Sequence, residues 1–124
     1  MEISKDKYYY FFDDLKLRFI KVTHIDIISS FDDKKWFQYI ETPNFSNFFD
    51  KHSKLTSGQR PIENDYKRIL IEIPDNVVND LENEEEWKSL PFINYIKRPS
   101  GYIHITPKSP DKEWLRDYLI SNII

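Results

Sequence analysis

Of the 124 residues, none is cysteine and none is alanine, only two are glycine and one is methionine. Each shortage excludes something. Without cysteine there is no disulfide framework, no thiolate metal site and no cysteine nucleophile. Two glycines cannot build a phosphate-cradling loop or a dinucleotide-binding fingerprint, and no Gly-x-Ser-x-Gly elbow occurs. Small residues that let a backbone approach a cofactor are scarce, so no cofactor is expected. No apolar run is long enough for a transmembrane helix. The opening stretch MEISKDKYYYFFDD has neither the apolar core nor the small-residue cleavage site of a signal peptide, so the chain reads as cytoplasmic and without membrane contact. The net charge of −3 supplies no basic stripe, which argues against broad nucleic-acid binding.

What is abundant is aromatic: nine Phe, eight Tyr and three Trp. Ile, Lys, Asn, Tyr, Phe and Asp all have AT-rich codons, so codon bias accounts for much of this excess. The rest of the question is which rings fill a core and which face a partner, because Tyr and Trp are enriched at binding hot spots.

The first forty residues read as β-structure. Tyr8 to Phe12 is an unbroken aromatic run with strand propensity and large side chains on both pleat faces, so both faces are expected to be covered. Leu15, Leu17 and Phe19 alternate with Lys16 and Arg18, the period of a half-buried strand. The alternation slips near Phe19 and Ile20, where a bulge or bend is expected. Asp13-Asp14 and Asp32-Asp33 supply two acidic turns and hence an antiparallel meander. Phe45, Phe48, Phe49, His52 and Leu55 lie at helical spacing, Ser57 to Asp65 reads as a loop, and Arg68 to Ile73 reads as a central strand. Asp75 opens a helix ending near Asn83, with Trp87 out of phase with its apolar face. Phe92 to Ile96 and Tyr102 to Thr106 pair across an Arg98-Pro99-Ser100-Gly101 turn. Ser109-Pro110 starts a C-terminal helix with Trp114, Leu115, Tyr118, Leu119 and Ile123 as its buried stripe. The fold class that results is α+β. An N-terminal meander, a central strand and a C-terminal hairpin form an antiparallel or mixed sheet, and about three helices pack on one face, in a single domain over residues 1–124.

Four groups of residues carry candidate chemistry. Asp75, Asp80, Glu82, Glu84, Glu85 and Glu86 crowd together just before Trp87. Carboxylates steer a basic partner and an exposed aromatic anchors it, although a solvated helix face has the same composition. His24, Asp26 and His104 lack the close spacing of a metal site, so no metal is expected. Lys97, Arg98, Lys108 and Lys112, with Tyr95 and Tyr102 nearby, form a basic group around the hairpin. Such a group suits a single nucleic-acid strand, or else protects a sheet edge from aggregation.

The fourth group is His104-Ile105-Thr106, a His-x-Thr motif, with His24-Ile25-Asp26 as a second His-x element. This pattern resembles the two-histidine phosphoesterase family at the first motif and departs from it at Asp26, where Thr or Ser is wanted. The resemblance implies two histidines on adjacent strands acting as acid and base on a phosphoester, with His24, His104 and Thr106 as the site.

The reading the sequence favours is a small non-enzymatic inhibitor, of the toxin-immunity or phage-encoded kind. It would block a basic toxin or nuclease through Asp80, Glu82, Glu84, Glu85, Glu86 and Trp87. The alternatives are the phosphoesterase and a nucleic-acid-binding accessory protein.

Overall fold

Strand β1 (Tyr8–Asp13) lies at the heart of the molecule because four of its five rings, Tyr8 to Phe11, serve two cores at once. Tyr10 joins one buried cluster, with Tyr8 packed against it, while Tyr9 and Phe11 join the other. This is the two-sided cover that an aromatic run on a pleated strand demands. The computed structural model describes residues 3–13, 16–27, 35–61, 68–91, 93–108, 113, 116 and 117. β1 is followed by β2 (Lys16–Ile27), β3 (Lys35–Thr42), β4 (Thr56–Pro61) and β5 (Arg68–Glu72). These make one antiparallel sheet in the order β4-β3-β2-β1-β5. β6 (Ile93–Lys97) and β7 (Ile103–Pro107) form a separate antiparallel pair.

Alternation sorts the side chains. Phe19 faces the first cluster, whereas Ile20, Val22, Phe37 and Tyr39 face the second. The first cluster lies between the large sheet and a layer made of Phe45, Val77, Val78, Trp87, Tyr95, Ile103 and Ile105. The expected bulge is present in β2 but falls between Val22 and His24, a few residues later than the alternation alone indicates.

Several expectations need correction. The molecule is dominated by strands: its described residues contain only two short α-helices, α1 (Asp75–Val78) and α2 (Glu84–Ser89), rather than about three helices on one face. The predicted C-terminal helix falls almost wholly outside the described residues. The helix expected from Phe45 is a five-residue 3-10 turn, Phe45–Phe49. It stops because the Asp50 carboxylate accepts from the His52 N–H and the Ser53 hydroxyl and so holds the chain in a turn. His52 is therefore exposed and not a packing residue.

β5 is an edge strand, not a central one. Its aliphatic run reflects cover on both faces, with Leu70 against one core and Ile71 against the other. Two covered faces do not require two paired edges. Of the segment read as a loop, Ser57 to Asp65, the part up to Pro61 belongs to β4, the opposite edge, and residues 62–65 lie outside the described residues. β4 lacks apolar alternation because it is mostly exposed, and it pairs closely because Gly58 sits beneath the Tyr39 ring. A Cβ there would lie 2.6 Å from the Tyr39 hydroxyl oxygen. Finally, the hairpin does not extend the large sheet.

Asn44 holds the two sheets together. Its Oδ1 accepts from the Ser46 N–H and hydroxyl and, across the interface, from the Ile105 N–H at 3.1 Å. Replacing Asn44 with alanine removes a cap and leaves a β7 donor without its acceptor. The expected cost is about 1–3 kcal/mol of stability in urea unfolding. Asn44→Asp, which keeps the oxygen, is expected to retain most of it. Equal midpoints for the alanine variant and the parent would rule out this clasp.

Candidate functional site

The acidic segment forms a capped loop on two short helices rather than one face of a longer helix. α1 ends at Asn79, whose N–H donates to the carbonyls of Asp75 and Val77. α2 begins at Asn83, whose side chain accepts from the Glu86 N–H, with Glu84, Glu85 and Glu86 in its first turn. Acids at that end oppose the positive pole of the helix dipole, so they favour this helix start locally. Asn83 with Glu86 three residues on has capping-box spacing. That signal is present in the sequence and marks the break that the apolar periodicity missed.

Between the helices, two buried aromatics hold the loop from beneath. The Trp87 indole N–H donates to the Asp80 carbonyl at 3.1 Å, and the Tyr95 hydroxyl donates to the Leu81 carbonyl at 2.7 Å. Trp87 is 0% exposed and packs on Phe45 at 5.0 Å between ring centroids. This corrects the expectation that Trp87 presents an aromatic to a partner. It is out of phase with α1 because it belongs to a second helix, and its ring points into the core. Tyr95, likewise expected beside the basic group, is buried on the inner face of the hairpin. Burial, and then the charges of Glu84, Glu82 and Asp80, push the Tyr95 hydroxyl above its ordinary pKa.

Asp80, Glu82, Glu84 and Glu85 are exposed and Glu86 is half-buried. Glu84 pairs with Lys88 one turn on, Glu86 accepts from the Asn76 amide at 3.2 Å, and Asp75 pairs with Lys7. These are surface pairs and contribute little to stability. Phe49, 52% exposed, is an aromatic that does face outward, and it packs on Tyr8 and Phe45. The helical spacing from Phe45 assigned it to a core stripe. The short 3-10 turn leaves it facing water instead.

The two histidines are placed on different sheets, His24 on β2 and His104 on β7. The resemblance to the two-histidine phosphoesterases implies adjacent strands of one sheet, and that arrangement is not formed. His24 is exposed, and His104 packs edge-on against Tyr102 at 4.5 Å, with its neighbours Ile103 and Ile105 turned to the core. Thr106 shares the outward side of β7 with His104. The described residues contain no group of three or more His, Cys, Asp or Glu arranged to hold a metal ion. No helix among them is long and apolar enough to cross a membrane. Comparison of the chain with protein families, curated proteins and solved structures returns no match.

Proposed function

We propose that the chain is a small binding protein that blocks a basic partner protein, as toxin-immunity proteins and phage-encoded inhibitors do. The observation that carries this reading is the loop clamped by Trp87 and Tyr95. An acidic segment whose carbonyls are fixed by buried rings holds Asp80, Glu82, Glu84 and Glu85 in one arrangement before any partner arrives. Pre-ordering of this kind lowers the entropy cost of association. Clustered carboxylates raise the encounter rate with a positively charged surface. Action in the cytoplasm is part of the proposal and fits a chain without cysteine.

The test compares the parent with the variant Glu82→Lys/Glu84→Lys/Glu85→Lys. Both are immobilised and exposed to lysate of the source cells, and retained proteins are identified and then purified. The parent is expected to hold a basic protein in stoichiometric amount, with an association rate about 10-fold or more above that of the reversed variant at low salt. That difference is expected to shrink at high salt. Urea midpoints that match between the two exclude unfolding as the cause. Retention of the same protein by both, at equal rate and salt dependence, would sink the acidic-loop reading.

A further inference from the structure

The inner face of the β6–β7 hairpin is spent on the core and on holding the acidic loop, but its outer face is bare. Ile96 is 53% exposed and Tyr102 46% exposed, although both are large and apolar. Ile96 lies on β6 and Tyr102 just before β7: Ile96 is the register partner of His104, and His104 stacks edge-on with Tyr102. Cations bracket this face. Arg98 at the turn and Lys108 just beyond Pro107 are exposed in the outward alternation, and Lys97, whose register partner is the buried Ile103, is exposed at the rim beside the turn. No ion pair among the described residues engages any of the three. A chain of net charge −3 thus carries a local basic surface with rings set between its charges.

We propose that this face binds single-stranded nucleic acid, a role separate from the acidic loop. Charge complementarity selects a polyanion, and the rings select one with flat bases. Tyr102 and His104 pack edge-on with ring centroids 4.5 Å apart, so together they make one stacking platform rather than two. A single strand, whose bases are free to swing out, can lay a base on that platform, while a duplex keeps its bases stacked inside. Cations at both ends of the hairpin then meet backbone phosphates on either side of the stacked base. Base–aromatic stacking on a sheet surface of this kind tolerates any sequence.

The turn fixes the geometry. Gly101 adopts a left-handed backbone, with φ of +92°, and donates its N–H to the Arg98 carbonyl, while the Arg98 N–H donates to the Tyr102 carbonyl. The backbones of Arg98 and Tyr102 are therefore held opposite one another at the end of the strand pair.

The experiment is fluorescence anisotropy of a fluorescein-labelled 12-mer oligothymidylate against the full chain, with a 12-base-pair duplex as comparison. Saturable binding of the single strand is expected, at least 10-fold tighter than the duplex. The logarithm of affinity against the logarithm of salt should fall with a slope of about −2, the value for three phosphate contacts on a single strand. Tyr102→Ala should weaken binding about 5- to 150-fold, the worth of one base–aromatic stack. Lys97→Glu/Arg98→Glu should weaken it further and flatten the salt slope. Tyr102 is half out of the fold, and its variant is checked by urea midpoint. Arg98→Ala, which alters only an exposed side chain, serves if Tyr102→Ala is destabilised. No binding, equal binding of single strand and duplex, or unchanged affinity in Tyr102→Ala or Arg98→Ala would each overturn the proposal. So would self-association of the chain that the charge reversal abolishes, since the face would then serve a second copy.

Discussion

Trp87→Ala is expected to lower the unfolding free energy by about 3–5 kcal/mol, the range for truncating a large ring in a packed interior. The indole is fully buried against Phe45 and belongs to the same cluster as Tyr10, Phe19 and Tyr95. The truncation opens a cavity and also frees the Asp80 carbonyl from its donor. Trp87→Phe separates the two effects. It keeps most of the buried area and loses only the N–H, so a cost of about 1–2 kcal/mol is expected. Urea unfolding followed by far-ultraviolet circular dichroism measures both. The experiment also bears on how the acidic loop works. A partner-facing tryptophan would leave stability unchanged when removed and would reduce only binding. A midpoint shift worth less than about 0.5 kcal/mol, the size of an ordinary surface change, would make Trp87 a surface ring instead.

Breaking the Arg18–Glu41 pair is the second large effect. Arg18 on β2 and Glu41 on β3 share the face of the sheet that carries Phe11, Ile20 and Tyr39, and their side chains are only 10% and 17% exposed. The guanidinium carbon lies 4.8 Å from the centre of the Phe11 ring. Nε and Oε2 meet as an ion pair rather than as an aligned hydrogen bond. Removing one partner leaves the other charge in a poorly hydrated site, at a cost of about 3–5 kcal/mol; the residual exposure of Glu41 places the expected value toward the lower end. Glu41→Leu and Arg18→Met should each fall in that range. The double variant is expected to be more stable than either single one, because it removes two desolvation penalties along with one attraction. Four urea curves complete the cycle. Strictly additive losses would show that the two side chains do not depend on each other.

The sequence showed most clearly those features that have a short period. The run Tyr8 to Phe12 announced a strand covered on both sides, and the Pro-Ser-Gly turn announced the hairpin. Both rest on local chemistry that no tertiary contact reverses. β4 was hidden because an exposed edge strand needs no apolar alternation, and the reason for Gly58 is a ring on a strand far earlier in the chain. β5 was misplaced because a run of aliphatic residues reports covered faces and is silent about paired edges. Trp87 is obscured for a related reason. Periodicity that starts in α1 crosses a break marked by Asn83, and a residue in phase with its own helix is out of phase with the one before. Of the candidate site, the carboxylates were visible as composition. The clamp beneath them depends on Tyr95 reaching back to Leu81 from β6, the strand after α2, which no spacing rule encodes.

β1 has a consequence for how the protein comes apart. It is bonded to β2 on one side and β5 on the other, and its alternate rings close two otherwise separate cores. Any event that releases β1 therefore disrupts both clusters together, and β1 couples them as a common wall. Opening that spares β1 is left to elements that pair elsewhere, such as the β4 edge.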